Sequence, residues 1–218
     1  MGIVNVTPDS FSDGGRFFDA EAAVAHVLRL IAEGADILDV GGESTRPGAA
    51  PADAAEEIAR VVPVIEAIRR ESDIPISVDT MKPAVARAAA AAGAGMWNDV
   101  TALAWAPDSL AVAAALGCDV VLMHMQGEPR TMQKRPRYDD VVAEVTAFLA
   151  ARAAAAVAAG VARERIWVDP GFGFGKTPKH NLELVRGLPQ IAALGFPVVF
   201  GASRKSSIPK LAGDRSGA

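Results

Sequence analysis

Polar side chains of the types that bind charged or heterocyclic molecules stand at the ends of successive apolar segments of this sequence. Asp, Asn and Ser are also favoured just before helices, so each residue alone is more often a helix N-cap or a turn residue. Their recurrence at seven successive segment ends, several still inside the apolar run, favours one shared binding site instead. The residues are Asn5, Asp39, Asp79, Asn98, His124, Asp169 and the group Ser203, Arg204 and Lys205.

Four of these residues, Asp79, Asn98, Asp169 and Lys205, suit a flat heterocycle. A ring with a 2-amino group and a ring N–H presents a donor edge to a carboxylate, and Lys205 is able to donate to a carbonyl on the opposite edge. Desolvated hydrogen bonds of this kind give specificity, because an analogue that lacks one leaves a buried polar group unpaired. We expect Asp39 to bond neighbouring side chains rather than the ligand.

The segment "DVGGESTRPG", residues 39–48, has the features of an anion site. Gly41 and Gly42 allow the backbone to approach a ligand closely. Thr45 and Arg46 are fitted to donate to phosphate oxygens, and the guanidinium is able to do so bidentately. An ordinary loop with an exposed Arg explains any one of these residues but not the whole string.

A second glycine-rich segment, "DPGFGFGKTPKHN", contains Gly175, Lys176 and Thr177 and superficially matches a phosphate-binding P-loop. That motif requires a glycine five positions before Gly175, where Pro170 stands, and it normally follows an early strand. We therefore reject the P-loop interpretation, and Lys176 is expected to be a solvated loop charge. No His-x-His or Cys-x-x-Cys spacing occurs, so any metal is expected to be oxygen-liganded, such as Mg²⁺ carried with a diphosphate.

Strands and helices alternate along the chain in the predicted elements that carry these residues. Strands that are apolar on both faces belong to a parallel sheet covered by helices, in an open doubly wound sheet or a (β/α)₈ barrel. A barrel collects ligand groups from most of its strand ends, whereas an open sheet gathers them at one switch point, so the sequence favours the barrel. The predicted strands are 2–6, 36–40, 74–78, 95–99, 119–123, 165–168 and 197–200, and the predicted helices are about 19–33, 53–71, 82–92, 107–117, 138–159 and 180–194.

The length and composition of the chain indicate one α/β domain that acts on small molecules. Its 218 residues are 50% hydrophobic, which is enough for a single large core. A net charge of −4 provides no basic field for nucleic acid or an anionic membrane, and the apolar stretch 153–162 is short for a membrane span. Cys118 is the only cysteine, and we expect it to be a buried structural residue in a cytoplasmic protein.

Several motifs together resemble those of the dihydropteroate synthase family: "NVTPDSFSDGG", "DVGGESTRPG", "SVDT", "LMHMQGEPRTMQ", "DPGFGFGK" and "GASRKS". The resemblance covers nearly the whole chain in order. It implies a TIM (β/α)₈-type barrel that joins 6-hydroxymethyl-7,8-dihydropterin diphosphate to p-aminobenzoate, with release of pyrophosphate, in folate biosynthesis. It also implies Mg²⁺ as cofactor, a homodimer, and inhibition by sulfonamides.

The resemblance assigns roles to individual residues. Asn5 would hold Mg²⁺ on the diphosphate, residues 7–15 would close over the site, and Asp79, Lys205 and Arg46 would be catalytic. The pterin would contact Asp79, Asn98, Met123, Asp169, Gly201 and Lys205. The diphosphate and p-aminobenzoate would contact Thr45, Arg46, Phe11, Pro47, Phe172 and Ser206.

One departure from the family pattern concerns the C-terminus. The family's eighth strand carries an Arg-x-His motif, and no counterpart follows Lys205. The sequence therefore predicts one domain, residues 1–218, that lacks the eighth strand and has weak or no turnover.

Two alternatives stay open at this point. One is the pterin-binding domain of a corrinoid methyltransferase, which needs no diphosphate site and so leaves "GESTRPG" and "SRKS" unexplained; the other is a non-catalytic pterin-binding remnant.

Overall fold

A computed structural model describes residues 1–6, 20–43, 52–128, 131–203 and 205, with residues 20–22 described by their backbone alone. Strands and helices alternate throughout these ranges. The strands are β1 (Gly2–Asn5), β2 (Leu38–Gly41), β3 (Ile76–Asp79), β4 (Met96–Asp99), β5 (Asp119–Met123) and β6 (Ile166–Asp169). The helices are α1 (Ala20–Ala32), α2 (Ala54–Glu71), α3 (Pro83–Ala91), α4 (Ser109–Leu116), α5 (Val141–Ala158), α6 (Pro178–Arg186) and α7 (Leu188–Ala192).

The six strands form one parallel sheet in the order in which they occur in the chain, from β1 to β6. Sequential order is the topology of a barrel, since a doubly wound sheet reverses direction at its switch point. The predicted seventh strand is present as a single parallel bridge between Val168 and Val198, beside β6. The prediction about an eighth strand concerns residues after 205, which lie outside the described part of the chain.

Alternate residues of each strand have different surroundings. Val40, Val78, Leu122 and Val168 are fully or almost fully buried and belong to the main core, which the covering helices complete. The residues between them point to the opposite face, because successive side chains of a strand alternate. That second face carries Asp39, Ser77, Asp79, Asn98, Met123 and Asp169.

Helix α5 covers the sheet next to β5 and β6. Asp140 caps its N-terminus by accepting from the backbone N–H groups of Val142 and Ala143, both at 3.0 Å. The helix has 18 residues and a mean hydropathy of 1.7, so length and composition alone would let it span a membrane. Its buried residues Val145 and Leu149 nevertheless belong to the main core, as expected of a covering helix in a barrel.

The predicted helix 180–194 is wrong in one respect, because the structure has two helices, α6 and α7, that meet at Gly187. A Cβ at Gly187 would lie 2.5 Å from a methyl carbon of Val142, so the close approach of α5 requires glycine here. Pro189 then stands in the first turn of α7, which begins at Leu188. His180 lies in α6 and completes a capping box with Thr177.

Candidate active site

The ends of the first four strands place their polar residues in one row. Asn5 is paired with Gly41, Gly41 with Asp79, and Asp79 with Asn98. Between β5 and β6, Met123 is paired with Asp169. All of these residues stand at the carboxyl edge of the parallel sheet, which is where barrels carry their active sites. The structure therefore brings together the residues predicted to recognise a heterocycle.

Asp39 lies below this row and holds Asn98. The Asn98 side-chain amide donates to Asp39 Oδ2 at 3.1 Å, and Asp39 is only 5% exposed. Burial raises the pKa of Asp39. The bond turns the amide nitrogen of Asn98 toward Asp39 and its oxygen away, so Asp39 bonds a neighbouring side chain as the sequence predicts.

Asp79 lies in a strongly acidic environment. Burial raises its pKa well above the usual value, and the negative charges of Asp39 and Glu57 raise it further. Gly41 leaves space beside it, since a Cβ there would lie 3.6 Å from Asp79 Oδ2 and 3.9 Å from the side-chain oxygen of Asn5. A carboxyl group in such surroundings is stabilised by a ligand that offers N–H donors or positive charge.

Asp169 and Lys205 form the opposite side of the site. Burial raises the pKa of Asp169 to about 6, although the carboxylate accepts from the backbone N–H of Gly171 at 2.7 Å. Burial lowers the pKa of Lys205 to about 8, and the charges of Asp169 and Asp79 oppose that shift. The carboxyl groups that raise the pKa of Lys205 in this way belong to β6 and β3.

The Lys205 ammonium is fixed by the loop that follows β6. Its Nζ donates to the carbonyl oxygen of Phe172 at 2.5 Å and lies 4.0 Å from the centre of the Phe174 ring. Gly173 has a φ of +82°, and a Cβ there would be 2.8 Å from Lys205 Cδ. Glycine at this position therefore lets the lysine side chain lie across the loop.

Apolar side chains form a small cluster at the same edge. Met123 is 4% exposed and packs with Met81, Val100 and the partly buried Phe174. Phe172, predicted at the p-aminobenzoate ring, is 1% exposed and packs edge-on against Phe200 at 5.4 Å between ring centres. The cluster gives the polar groups an apolar wall of the kind that a flat ring packs against.

Other predicted site residues are exposed or undescribed. Asn5 is exposed at the end of β1, and Gly201 is exposed beyond the Val198 bridge. The remaining predicted residues, Phe11, Thr45, Arg46, Pro47 and Ser206, and the predicted loop 7–15, lie outside the described residues.

The prediction that Lys176 is a solvated loop charge is wrong. The residue is 3% exposed, and its Nζ contacts His124 Nδ1 at 3.0 Å and the Phe174 carbonyl oxygen at 3.0 Å. Burial lowers the pKa of Lys176 to about 7. Burial and the neighbouring Lys176 charge lower the pKa of His124 to about 3, so the imidazole is neutral and its Nδ1 accepts. Only the three-dimensional packing of two distant loops reveals this contact.

A buried ion-pair cluster beside Asp79 was also missed from the sequence. Lys82 Nζ donates to Glu57 Oε2 at 2.7 Å and to a carboxylate oxygen of Glu43. Glu57 is fully buried on α2, because Gly42 leaves room for it: a Cβ at Gly42 would be 2.9 Å from Glu57 Cγ. These glutamates add to the negative field that raises the pKa of Asp79.

The described residues fit a metal ion only if another molecule supplies most of its ligands. Among them, no three His, Cys, Asp or Glu side chains are grouped closely enough to hold a metal. Asn5 offers one exposed amide oxygen at the edge of the site. Mg²⁺ commonly binds through one or two protein oxygens together with phosphate and water, so Asn5 suits an ion brought by a diphosphate.

Comparison with known proteins gives a consistent match. The family model described as "Pterin binding enzyme" matches residues 1–217. The dihydropteroate synthase of Streptococcus pyogenes is 51% identical over 213 residues, which are 98% of this chain and 77% of that protein.

Solved structures of the same kind of protein superpose closely. Dihydropteroate synthase of Xanthomonas albilineans with 4-aminobenzoic acid is 57% identical, has a TM-score of 0.90, and is matched over 97% of this chain and 75% of its own. The structure from that organism with 7,8-dihydropteroate is 53% identical, with a TM-score of 0.86 and the same coverage of the two chains. The Yersinia pestis dihydropteroate synthase with a sulfonamide drug is 46% identical, with a TM-score of 0.90 over 97% of this chain and 77% of its own.

Proposed function

The chain belongs to the pterin-binding enzyme family, among the dihydropteroate synthases, and on that premise we propose how its strand ends carry out the reaction. The enzyme is a transferase of folate biosynthesis that joins 6-hydroxymethyl-7,8-dihydropterin diphosphate to p-aminobenzoate and releases pyrophosphate. The observation that supports the proposed site best is the register of the sheet, which pairs Asp79 with Asn98 and Met123 with Asp169 at the same edge.

Recognition of the pterin ring follows from the donors and acceptors of the site. Asp79 and Asp169 accept from the 2-amino group and ring N–H of the pterin, and Lys205 donates to its carbonyl oxygen. Asn98, oriented by Asp39, adds a polar contact at the same edge. Met123 and the Phe174 ring contact the apolar face of the bicycle.

The reaction breaks the bond from the pterin methylene carbon to the diphosphate oxygen, and the electron pair leaves on pyrophosphate. The amine of p-aminobenzoate then forms the new C–N bond and loses one proton. Positive charge develops on the pterin as the bond breaks, and the carboxylates of Asp79 and Asp169 stabilise it because they are already in place and poorly solvated.

The leaving group gains negative charge at the same time. Arg46 is proposed to neutralise part of this charge through its guanidinium, together with a hydrogen bond from Thr45. Asn5 would hold a Mg²⁺ ion, which supplies further positive charge to the diphosphate when it is bound. The exposed side chain of Asn5, in the same row as Asp79, supports this assignment.

Amine-dependent release of pyrophosphate tests the function. The protein is incubated with pterin diphosphate and Mg²⁺, with and without p-aminobenzoate, and pyrophosphate and 7,8-dihydropteroate are measured together. We expect equal amounts of both products at whatever rate the protein turns over, and a lower rate when the metal is chelated; a rate close to zero would agree with the weak turnover predicted from the sequence. Pterin binding without any product would instead favour a non-catalytic pterin-binding protein.

We further propose that sulfonamides compete with p-aminobenzoate in this protein, as the sulfonamide complex of the Yersinia pestis relative suggests. Competitive inhibition against p-aminobenzoate, with no competition against the pterin substrate, is the expected result. Inhibition that rises with p-aminobenzoate concentration would contradict the proposal. Pairing of two copies into a homodimer and a cytoplasmic location also stay proposals.

A further inference from the structure

Lys176 is a buried lysine that none of the steps above uses. Its side chain is 3% exposed, and its nitrogen lies within 3.0 Å of His124 Nδ1, 3.3 Å of the His124 carbonyl oxygen and 3.0 Å of the Phe174 carbonyl oxygen. Burying an amine is costly unless its donors are satisfied, and here three acceptors surround it. The contacts join residues 52 positions apart in the sequence.

The three acceptors belong to two different strand ends. His124 follows β5, immediately after Met123, and Phe174 lies in the loop after β6. The β6 strand and its loop supply Asp169, the Phe172 carbonyl that holds Lys205, and the Phe174 ring beneath Lys205. Lys176 is thus bonded to the backbone of Phe174, whose ring lies beneath Lys205 and whose position is two residues after the carbonyl that holds Lys205.

The loop after β6 packs closely against the residues that follow β5. Gly171 has a φ of +67°, and a Cβ there would be 1.9 Å from the His124 carbonyl oxygen, which Lys176 also contacts. Gly175 has a φ of +62° and approaches the Gln126 carbonyl oxygen in the same way, at 2.6 Å for a Cβ. The β6 loop therefore lies close to the residues after β5 at Gly171 and at Gly175. The Lys176 amine links the two segments directly, through His124 on one and Phe174 on the other.

We propose that Lys176 is a positioning residue for the synthase reaction, which holds the β6 loop against the β5 end so that Asp169 and Lys205 meet the pterin ring. It does this through its hydrogen bonds to His124 and Phe174 and makes no contact with substrate. The aromatic rings of Phe148 and Tyr138 pack around His124, at 4.9 and 6.0 Å between ring centres, and fix the acceptor side of the pair. The expected effect on pterin binding rests on the proposed function, whereas the positioning of the β6 loop by Lys176 does not.

Two measurements on Lys176→Met test the proposal, with Lys179→Met as a matched control. Met keeps the length and apolar body of the lysine but loses the donors. Lys179 lies three positions away, with a side chain that is 82% exposed and a surface ion pair to Glu183. It is outside the binding site, so its replacement is expected to leave the wild-type behaviour unchanged.

The first measurement is amide hydrogen exchange of the unliganded protein. In Lys176→Met we expect roughly tenfold faster exchange at Gly171, Gly173 and Phe174, whose N–H groups are hydrogen-bonded within and beside the loop, and no change in Lys179→Met. Unchanged exchange at these three amides would overturn the inference, whatever the protein binds.

The second measurement is calorimetric titration with pterin diphosphate. A positioning role predicts that Lys176→Met weakens binding about tenfold, with the stoichiometry unchanged. A merely structural role predicts the reverse, a lower stoichiometry from unfolded protein with the same dissociation constant, and would overturn the inference. If the wild-type protein binds no pterin, the proposed function fails, and the exchange measurement alone decides the role of Lys176.

Discussion

At the scale of single residues, burial sets the charge of the site. Burial shifts the pKa of Asp79, Asp169 and Lys205 toward the neutral form of each group. A ligand that supplies donors to the carboxylates and an acceptor to the ammonium compensates for the lost solvation of all three. The site therefore favours a heterocycle that has N–H donors on one edge and a carbonyl acceptor on another over a ring that lacks either.

Replacing Asp79 by Asn separates a binding role from a structural one. The change removes a half-buried carboxyl surrounded by acidic neighbours, so we expect the melting temperature to stay the same or rise slightly. Turnover is expected to fall at least about 100-fold because the charge that stabilises the pterin cation is gone. Steady-state kinetics and thermal melts measure both.

The matched control is Asp119→Asn, at the opposite end of β5 in a partly exposed pair with Arg165. It should keep near wild-type turnover. A parallel loss of turnover and of melting temperature in Asp79→Asn would indicate that Asp79 has a structural role only.

The dependence of kcat/KM on pH reports Asp169 and Lys205. The active form has Asp79 and Asp169 ionised and Lys205 protonated. The rate should therefore rise as pH increases through the raised pKa values of the two carboxyl groups, about 6 for Asp169, and fall as pH increases through about 8. Lys205→Arg keeps the positive charge throughout this pH range, because a guanidinium stays protonated, so the fall near pH 8 should disappear even if the maximal rate is lower. If kcat/KM of this variant still falls near pH 8, a group other than Lys205 is responsible for the decrease.

At the scale of elements, periodicity predicted the strands well, and contacts between distant segments explain the errors. Strands such as β5 agree with the predicted residues, because apolar runs and their polar ends are local features. Lys176 was predicted to be solvated, since nothing near it in sequence indicates that His124 covers it. Likewise the break at Gly187 depends on its contact with Val142, and Glu57 looks like a surface residue until Gly42 packs on it.

Gly171→Ala tests how tightly the β6 loop follows β5. The new methyl group would need to occupy a point 1.9 Å from the His124 carbonyl oxygen, at a φ of +67°. We expect a loss of at least about 2 kcal/mol in the free energy of unfolding, measured by denaturant titration. Gly95→Ala is the control, because nothing lies within 4 Å of its Cβ position, and it should change stability by less than about 0.5 kcal/mol. Equal stability of the two variants would contradict the described loop path.

Lys82→Met tests the ion-pair cluster between the β2 end and α3. Burial alone would lower the pKa of Lys82, but its hydrogen bonds to Glu43 and Glu57 reverse this and raise it. Removing the lysine leaves the buried Glu57 without its counter-ion, and we expect a loss of about 3 kcal/mol in the free energy of unfolding. Chemical denaturation of this variant beside Lys179→Met measures the difference, and a loss as small as that of the surface variant would show that the cluster contributes little.

At the scale of the whole molecule, the parallel strands and their order make the site possible. Neighbouring strands in sequence are neighbours in the sheet, so residues from β1 to β6 reach one edge although they are spread over more than 160 positions of the chain. The strand ends and the polar residues on them were predictable, because each stands at the end of a local apolar run, whereas their contact with the pterin stays a prediction. Three expectations stay predictions: that the sheet closes into a barrel, that Thr45 and Arg46 bind the diphosphate, and that residues 1–218 form one domain.

The central claim is that Asp79, Asp169 and Lys205 bind a single pterin ring. A crystal structure of the protein with 7,8-dihydropteroate tests it most directly. We expect a carboxylate oxygen of Asp79, a carboxylate oxygen of Asp169 and the Lys205 nitrogen each to lie within about 3.2 Å of polar atoms on the same bicyclic ring. A ring bound elsewhere, or one that contacts only one of the three, would contradict it.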